Sequence, residues 1–437
     1  MTPRLEHVEM PAGTGRTAAP PRPLRVALLG CGTVGRSVVR ILADRTDLAD
    51  RLRLTHVFNR DIARKRGSGT PEPVVWTESI EDVFASRPDV VVEAIGGLSP
   101  AGDWVRRALE QGLCVVTANK VLVATAGPGL LRLASARGGD LRFEAAVAGG
   151  VPVIHAIRQG LAGDVITRVA GILNGTCNHV LSRMASGSVS MEDAIGDAKR
   201  LGYAEADPTS DVDGADAAAK LAVLAGVAFN RELRLADVAT ASIRPVDAVD
   251  FRYARRLGRT IRQIAAVDGS GGAALDARVG PALVPEASRF GRTEGADNVV
   301  AITGRYGGTT AYSGAGAGGD ATAVAIVSDL LALSEGRRSC AAAELSMAAV
   351  ADAPERPFYI RFVVRDRPGI LAGITAALAR QRINVDAVLQ EPGFPKDRLP
   401  FVVTVEPCRE LGLRHALTEV DCRDFEVEPL VLPILYE

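Results

Sequence analysis

The 437-residue sequence has few lysines, no long apolar run and almost no net charge. Only five of its 51 basic residues are lysines, at positions 65, 120, 199, 220 and 396, and the formal net charge is −1. No strong electrostatic field for nucleic acid is therefore implied. No stretch of about 18 uncharged apolar residues is present, and the N-terminus lacks the apolar core of a signal peptide. We expect neither a nucleic-acid partner nor a membrane partner.

The six cysteines form no C-x-x-C pair, so their spacing encodes neither a zinc site nor a disulfide framework. A reducing cytoplasm is the compartment that we expect. Residues 1–23 are rich in Pro, Gly and Thr without any period, and they predict a flexible tail. The remaining length allows about three domains at ~150 residues each.

Residues 24–150 alternate apolar strand-like runs with amphipathic helical segments. This alternation is typical of a doubly wound parallel sheet. After Gly150 the pattern changes to helices mixed with longer strands, which predicts a second, α+β domain over 151–314. The Gly-rich loop and helix at about 315–345 are expected to dock back on the first sheet and complete it.

The C-terminal part of the chain predicts a third unit. Residues 351–356 are interpreted as a linker, and residues 356–437 follow the order βαββαβ. That order is the ferredoxin-like arrangement. A separate small domain is the economical interpretation.

A G-x-G-x-x-G motif begins at Gly30 and continues through Gly32, Thr33, Val34 and Gly35. It directly follows a predicted strand and opens a predicted helix. Glycines there allow a tight turn and a close backbone approach, and the helix N-terminus can receive a pyrophosphate. In a chain with 45 glycines the spacing alone has little weight, but its context predicts dinucleotide binding. The alternative is a purely structural Gly-rich turn.

The end of the second predicted strand indicates which cofactor is bound. An acidic residue there would bind the ribose 2′-hydroxyl of NAD, but Asn59 and Arg60 stand at this point and basic residues 64–66 follow. A guanidinium group suits a 2′-phosphate, which favours NADP. The acidic residue Asp61 follows directly, so NAD stays an alternative cofactor. A solvated helix face is the alternative explanation for the basic residues.

The segment 202–216 is the densest in charge, with five carboxylates within twelve residues. Aligned as a calcium loop on Asp211 and Asp213, it would place Thr209 first and Lys220 twelfth, so the EF-hand pattern fails at both ends. A small cationic molecule, such as the ammonium group of an amino acid, suits an acidic pocket better.

Two lysines are candidates for acid chemistry. Lys120 follows a predicted strand at its carboxyl end, where open α/β sheets bind ligands, and a lysine there can act as an acid or as a point charge for a substrate anion. Asp216 and Lys220 lie four residues apart on a predicted helix and share a face. A loop lysine and an exposed ion pair are the simpler explanations, but the face continues into an apolar stripe, which indicates the wall of a cleft.

In seven segments the chain resembles homoserine dehydrogenase: LLGCGTVG, DVVVEAIGG, TANKVLVA, FEAAVAGGVPV, GILNGTCN, LGYAEADPTSDVDGADAAAKL and GAGAGGDATA. The C-terminal unit resembles an ACT domain, a regulatory module that binds amino acids, with DRPGILA as its ligand loop. The resemblance implies a Rossmann-like cofactor domain and a substrate-binding and dimerisation domain. The implied activity is NAD(P)-linked interconversion of L-homoserine and L-aspartate 4-semialdehyde in threonine, methionine and isoleucine biosynthesis, with aldehyde reduction as the physiological direction.

The resemblance also implies roles for individual residues. Lys220 would be the catalytic lysine that gives a proton to the aldehyde oxygen, and Lys120 would lie where cofactor and substrate meet. Glu205 would hold the substrate ammonium group. Asp216 would contact the substrate, and Asp211 would support that wall.

Further implied positions surround the site. A monovalent cation such as sodium would be bound mainly by backbone carbonyls, at Glu144, Val147, Gly149 and Val151. Gly318 in GAGAGGDATA would contact the cofactor. The sequence departs from the family at Cys177, where threonine is usual, and at Ala148, where glycine is frequent.

The ACT unit implies an amino-acid effector, with threonine the first to test, bound near Asp366, Gly369 and Leu371 at a subunit contact of a homodimer or homotetramer. A unit that only holds the oligomer together is the alternative. For the whole chain, two other functions stay open: another NAD(P)-dependent amino-acid dehydrogenase, and a non-catalytic amino-acid sensor. The chain has all four of the residues Lys120, Glu205, Asp216 and Lys220, and this argues against the sensor.

Overall fold

The computed structural model describes residues 22–65, 73–187, 189–270, 272, 274–337, 345–351, 354–420 and 425–436. The predicted flexible tail lies outside the described residues, except for its last two. Among the helices of the described ranges, none combines the length and the apolar character needed to cross a membrane.

Six parallel strands form the first sheet in the order β3-β2-β1-β4-β5-β6. They are β1 (Leu24–Leu29), β2 (Leu52–Phe58), β3 (Val75–Thr77), β4 (Val90–Glu93), β5 (Cys114–Thr117) and β6 (Asp140–Arg142). The strand order reverses between β1 and β4, so the switch point where such sheets bind ligands lies between them. The predicted doubly wound sheet is confirmed.

Within the described ranges, the connections between these strands contain the α-helices α1 (Thr33–Asp44), α2 (Ile62–Lys65), α3 (Ile80–Ala85), α4 (Ala101–Glu110) and α5 (Lys120–Arg137), and a 3-10 turn at Thr46–Leu48. The apolar run at 141–147 predicts a longer last strand than the one that forms. Strand β6 ends at Arg142, and a 3-10 turn follows at Glu144–Ala146. The Glu144 N–H donates to the Asp329 carboxylate at 3.0 Å, and this bond takes the backbone out of the sheet.

The second sheet has the order β13-β12-β7-β10-β11-β15, with β9 also paired to β11, while β8 and β14 pair separately. These strands are β7 (Ile166–Ile172), β8 (Arg231–Glu232), β9 (Ala239–Thr240), β10 (Arg259–Asp268), β11 (Ala274–Pro285), β12 (Asp297–Gly304), β13 (Gly308–Ala315), β14 (Ser346–Met347) and β15 (Ala349–Val350). The helices of this part are α6 (Val153–His155), α7 (Gly175–Gly187), α8 (Met191–Arg200), α9 (Thr209–Val212), α10 (Ala215–Phe229), α11 (Ala248–Arg256), α12 (Arg289–Arg292) and α13 (Gly319–Ser334).

Helix α13 returns to the first sheet. Its residues Ile326 and Leu330 pack with Leu28 of β1 in one apolar cluster. In its first turn, Asp320 accepts a hydrogen bond from the Ser37 hydroxyl of α1 at 2.7 Å. The Gly-rich loop that precedes α13 is thereby brought beside the Gly-rich turn that precedes α1.

Helix α10 is a long alanine-rich helix that lies between the two sheets. Its residues Leu221 and Leu224 are fully buried and share an apolar cluster with Leu122 of α5 and Val267 of β10. Polar residues in the first turns of this helix are therefore carried to the junction of the two parts of the chain.

The C-terminal sheet is antiparallel in the order β17-β18-β16-β19. Its elements are β16 (Arg356–Val364), α14 (Ile370–Arg380), β17 (Val385–Gln390), β18 (Leu399–Cys408), α15 (Glu410–Thr418) and β19 (Leu430–Pro433). This order and pairing confirm the predicted βαββαβ arrangement. One face of the sheet buries Phe358 and Phe362 in the unit's own core. The other face, through Tyr359 and Leu432, shares an apolar cluster with α7 and α11, so the unit packs on the body of the chain rather than standing apart.

Candidate active site

The turn between β1 and α1 requires its glycines for different reasons. Gly30 has φ of +97°, and a Cβ atom there would lie 2.8 Å from the Ala94 carbonyl oxygen. A Cβ atom at Gly35 would lie 2.0 Å from the Gly30 carbonyl oxygen, so α1 can pack on the turn only with glycine. A Cβ atom at Gly32, by contrast, would meet no described atom within 4 Å. The turn is tight where it packs and open where a ligand would approach.

The N-terminus of α1 has no side-chain cap among the described residues. The first-turn N–H groups, Thr33 and Val34 among them, are therefore available to an anion at the positive end of the helix. Gly318 and Gly319 lie beside this end. Gly318 has φ of +116° and open space around its Cβ position, whereas a Cβ atom at Gly319 would lie 2.7 Å from the Ser37 Oγ atom.

The end of β2 lies against the same turn, because the Gly30 N–H donates to the Phe58 carbonyl at 2.9 Å. The Asn59 Oδ1 atom accepts the Asp61 N–H at 3.0 Å. Arg60 is exposed and forms no ion pair with any residue described. The backbone of residues 64 and 65 ends α2, but the structure does not describe the basic side chains at 64–66. Among the side chains that the structure describes, Arg60 is the basic group at the end of β2, where the sequence predicts the ribose of the cofactor.

A buried glutamate, Glu93, organises the edge of the sheet beside this turn. Its Oε1 atom accepts the N–H groups of Ile95 and Gly96, both at 2.8 Å, and its Oε2 atom accepts the Thr117 hydroxyl at 2.5 Å. Sequence reasoning did not single this residue out. The signal was present, because an acidic residue ends an otherwise apolar strand and must find partners when it is buried.

Asn119 fixes the start of α5 at the next strand. Its Oδ1 atom accepts the Leu122 N–H at 3.1 Å, and its Nδ2 atom donates to the Gly97 carbonyl at 2.6 Å. Lys120 is the first residue of the helix. Its side chain therefore leaves from the carboxyl edge of the parallel sheet, as the sequence predicts.

Asp216 stands between the two candidate lysines. Its Oδ1 atom lies 3.0 Å from the Lys120 Nζ atom, and its Oδ2 atom lies 2.8 Å from the Lys220 Nζ atom. The Lys220 ammonium group also donates to the Leu173 carbonyl at 2.7 Å. The Asp216 and Lys220 side chains are only 9% and 12% exposed, so this pair is largely buried and is not an exposed ion pair on a solvated helix face.

The carboxylates of Asp216 and Asp211 have different environments. Burial by itself would raise the pKa of Asp216, but the ammonium groups of Lys220 and Lys120 outweigh it and hold the pKa well below its usual range. Burial raises the pKa of Asp211, and the negative charge of Asp216 acts in the same direction. Asp216 is thus a fixed negative charge, while Asp211 binds a proton more readily.

Asn174 was not predicted from the sequence, although the GILNGTCN segment contains it. Its Nδ2 atom donates to the Asp211 Oδ1 atom at 2.7 Å and to the Asp216 Oδ2 atom at 2.8 Å. Its Oδ1 atom accepts the Cys177 N–H at 2.8 Å. The Cys177 thiol in turn donates to the Asp211 carbonyl at 3.2 Å, a bond that a threonine hydroxyl at that position could also make.

Glu205, expected to hold the substrate ammonium group, is not drawn into this cluster. It is exposed in the segment before α9 and makes no hydrogen bond or ion pair with the residues described. Its predicted role stays a prediction.

Glu144, in the segment implied to bind a cation, is buried and oriented by backbone donors. Its carboxylate oxygens accept the N–H groups of Ile154 at 2.9 Å and His155 at 2.7 Å. Burial raises the pKa of Glu144 to about 7, and the nearby Asp329 carboxylate also raises it. In the described ranges, no group of three or more His, Cys, Asp or Glu side chains forms a metal site.

The loop that follows Glu144 offers carbonyl oxygens instead. Val147 and Gly149 are buried, and their carbonyl groups accept no hydrogen bond from the described chain. The Val151 carbonyl accepts the Val153 N–H at 2.8 Å. Ala148 has φ of +54°, a conformation that costs an alanine about 1–2 kcal/mol and explains why glycine suits this position. Unsatisfied carbonyl oxygens fit a monovalent cation held by the backbone.

The ACT loop forms the third candidate site. The Asp366 carboxylate forms an exposed ion pair with Lys396, whose Nζ atom lies 3.7 Å away, and Gly369 has φ of +98° at the N-terminus of α14. Leu371 is exposed. These residues line a cavity of about 180 Å³ between α14 and the sheet, large enough for a small amino acid.

The Gly-rich turn after β1 and Lys120 after β5 both lie at the carboxyl edge of the first sheet, and Asp216 joins Lys120 to Lys220. The fold and this site define a nicotinamide-dependent oxidoreductase. A sequence profile described as homoserine dehydrogenase matches residues 152–331, one described as homoserine dehydrogenase, NAD binding domain, matches residues 30–144, and an ACT domain profile matches residues 358–421.

Known proteins agree with this class. The homoserine dehydrogenase of Mycobacterium tuberculosis is 40% identical over 384 residues, which are 85% of this chain and 87% of that protein. The crystal structure of a homoserine dehydrogenase from Thiobacillus denitrificans has a TM-score of 0.87 at 33% identity and covers 95% of this chain and 99% of that one. A hyperthermophilic archaeal homoserine dehydrogenase in complex with NADPH has a TM-score of 0.62 at 26% identity, over 72% of this chain and 98% of that one. The chain belongs to the homoserine dehydrogenase family.

Proposed function

We propose that the chain catalyses the NADP-dependent interconversion of L-homoserine and L-aspartate 4-semialdehyde, with reduction of the aldehyde as the physiological direction. The observation that supports this most directly is the pairing of Asp216 with Lys120 at 3.0 Å and with Lys220 at 2.8 Å. One cluster thereby offers an acid for the reacting oxygen and charges of both signs for an amino-acid substrate.

Lys220 is the residue that we assign to proton transfer. Its ammonium group has three donors, and within the described chain two of them bind Asp216 at 2.8 Å and the Leu173 carbonyl at 2.7 Å. The third donor remains for a substrate oxygen. A bound nicotinamide supplies the hydride in reduction and accepts it in oxidation. Lys220 gives its proton to the oxygen that becomes negative in reduction, and its neutral amine takes the hydroxyl proton in oxidation.

The acidic wall is assigned to the substrate ammonium group. Asp216 and Asp211 line it, and Glu205 would complete it from its exposed position once substrate is bound. Lys120 is more exposed than Lys220, at 37% against 12%. It lies at the edge of the cofactor sheet, where its charge can face the substrate carboxylate or the cofactor.

The cofactor is assigned to the turn between β1 and α1. Its pyrophosphate would bind the N-terminus of α1, and its 2′-phosphate would pair with Arg60. The positions that would contact it are Gly30, Gly32, Thr33, Val34, Gly35, Arg60, Lys120 and Gly318. A monovalent cation such as sodium would be held by the loop with the unsatisfied Val147 and Gly149 carbonyls, together with Glu144 and Val151, where it would stabilise the segment that follows β6.

The ACT unit is assigned to regulation by a pathway amino acid, with threonine the first candidate, bound near Asp366, Gly369 and Leu371. A homodimer or homotetramer would bring two such loops together. We place the activity in the cytoplasm, because the buried Cys177 and Cys408 are free thiols, which suits a reducing compartment.

A steady-state assay with the purified chain tests this proposal. L-homoserine should be oxidised with concurrent formation of NADPH, more efficiently than with NAD, and threonine should change the rate. Activity on another amino acid such as L-aspartate, without activity on L-homoserine, would assign the chain to a different dehydrogenase reaction. Threonine binding in calorimetry without any dehydrogenase activity would make the chain a sensor.

A further inference from the structure

We propose that Asn174 is a positioning residue for the dehydrogenase reaction: it holds Asp211 and Asp216 together as an ionised pair and thereby orients Lys220. This inference rests on the proposed function. Asn174 is 3% exposed and lies in the two-residue junction between β7 and α7. It touches neither the cofactor turn nor the lysine ammonium groups in the contacts described, so it acts through the carboxylates.

The orientation of the Asn174 amide follows from its partners. The Cys177 N–H can only donate, and it lies 2.8 Å from the Asn174 Oδ1 atom. The NH₂ group must then face the two carboxylates, which lie at 2.7 Å and 2.8 Å. Each of its two hydrogens serves one carboxylate, so the side chain is fully committed and cannot rotate without breaking the cap of α7.

Two neighbouring carboxylates repel each other and favour a shared proton. The ammonium groups of Lys220 and Lys120 oppose this tendency. Hydrogen bonds to the ionised forms oppose it too, and Asn174 supplies one to each group. The effect matters most at Asp211, whose pKa is already raised by burial and by Asp216. Without the two donors, the pair binds a proton more tightly and its charge no longer matches a substrate ammonium group.

The same junction also holds the catalytic lysine. The Leu173 carbonyl accepts Lys220 at 2.7 Å, and the next residue, Asn174, bonds the Asp216 Oδ2 atom that also contacts Lys220 at 2.8 Å. One short stretch of backbone therefore sets the position of the ammonium group and of its counter-ion. A rotation of the Asp216 carboxylate would move the proton donor with it.

The test uses two variants that keep the helix cap. Asn174→Asp retains an oxygen for the Cys177 N–H, because aspartate is as good an N-cap as asparagine, but replaces the donors by a third carboxylate. Asn174→Ser also keeps a cap oxygen and adds no charge. Ser190→Ala is the control, since Ser190 caps α8 away from the site, where its Oγ atom accepts the Asp193 N–H at 3.1 Å.

For Asn174→Asp we expect kcat/KM for L-homoserine to fall at least tenfold, with the acidic limb of its pH profile moved to higher pH and with NADP affinity unchanged. Asn174→Ser should lower kcat/KM with a near-normal melting temperature, and Ser190→Ala should lower only the melting temperature. A wild-type kcat/KM in Asn174→Asp would overturn the inference. So would a lower kcat/KM in both variants whose pH profiles keep the acidic limb at its wild-type pH.

A measurement without turnover separates this inference from the proposed function. In Asn174→Asp the new carboxylate has a folded-state pKa raised by its two neighbours, so stability is lost as pH rises through that value. The melting temperature of the variant should fall progressively below that of the wild type from acidic to neutral pH. If the difference in melting temperature between variant and wild type is constant with pH, the inference is contradicted, whether or not the wild type is active. Inactivity of the wild type on L-homoserine would by itself reject only the proposed function.

Discussion

The Lys120 ammonium group lies 3.0 Å from the Asp216 carboxylate, and this contact joins two parts of the chain that form separate sheets. Lys120 begins the helix after β5, at the carboxyl edge of the parallel sheet. Asp216 lies in the first turn of α10, which packs between the two sheets. The Lys120–Asp216–Lys220 cluster therefore exists only where the part of the chain with the parallel sheet and the part with the second sheet are held against each other.

Replacement of Lys220 should remove the proton donor while leaving the cofactor half intact. Lys220→Ala is expected to lower kcat for L-homoserine by ~10²–10⁴, the contribution of a positioned acid. Steady-state kinetics measures this loss, and NADP titration by fluorescence should show near-normal affinity. The matched control is Lys199→Ala, which removes an exposed lysine at the end of α8 and should leave kcat unchanged. A near-normal kcat in Lys220→Ala would remove its assigned role.

The open side of the Gly-rich turn can be tested by adding one methyl group. Gly32→Ala places a Cβ atom where no described atom lies within 4 Å, so the melting temperature should not change. If the pyrophosphate binds there, NADP affinity should fall at least tenfold. Gly163→Ala, in a surface loop with equally open space, is the control for both measurements. Equal NADP affinity in the two variants would place the cofactor elsewhere.

Arg60 should determine the preference between the two nicotinamide cofactors. A hydrogen bond to a charged group contributes about 1.5–3 kcal/mol, so Arg60→Ala should raise KM for NADP by ~10–100-fold. KM for NAD should change little, because NAD lacks the 2′-phosphate. The control is Arg53→Ala, which removes the same charge from an exposed position on β2. An equal rise in both KM values for Arg60→Ala would mean that the guanidinium group contacts another part of the cofactor.

Asp250 should make the stability of the chain depend on pH. It is fully buried and accepts the Tyr359 hydroxyl at 2.7 Å and the Arg361 guanidinium at 2.8 Å, so it links α11 to β16 of the ACT unit. Burial raises the pKa of Asp250 to about 6 despite the Arg361 charge. The ordinary unfolded value is about 3.9. The folded chain therefore binds this proton more tightly than the unfolded chain does, and the stability that this difference contributes is complete below about pH 4.

That stability should be lost as pH rises towards 6. Urea unfolding of the wild type between pH 4.5 and 7, compared with Asp250→Asn, measures the effect. The non-titrating variant should show a flatter dependence of the free energy of unfolding on pH over this window. A steeper dependence in Asp250→Asn would mean that another buried group is responsible.

Local sequence patterns predicted much of the fold. Apolar runs and amphipathic segments identified the parallel sheet, and the G-x-G-x-x-G motif predicted the Gly-rich turn between a strand and a helix that we assign to the cofactor. The predicted strand at 141–147 was too long, because the Glu144 backbone bonds Asp329 of α13, a residue distant in the sequence. The spacing of apolar residues along the sequence does not predict a hydrogen bond between such distant residues.

The candidate site was predicted unevenly for the same reason. The i, i+4 spacing placed Asp216 and Lys220 on one face of a helix, which the 2.8 Å ion pair confirms. Asn174 and Glu93 were both missed. The Asp211 and Asp216 partners of Asn174 are distant along the chain, so no local pattern points to this residue. Glu93 did carry a signal, as an acidic residue at the end of an apolar strand, but its Thr117 partner lies on the neighbouring strand.

The sequence by itself determined the elements and the types of chemistry available: a glycine turn for a dinucleotide, an acidic segment, two lysines in motifs, and a βαββαβ unit at the end. Only the tertiary structure decided that Lys120 and Lys220 share Asp216, that the Asn174 amide holds Asp211 and Asp216, and that the ACT sheet packs on α7 and α11. The physical reason is that helix and strand periods follow from neighbours a few residues apart. A buried charge cluster instead depends on which distant segments exclude water together.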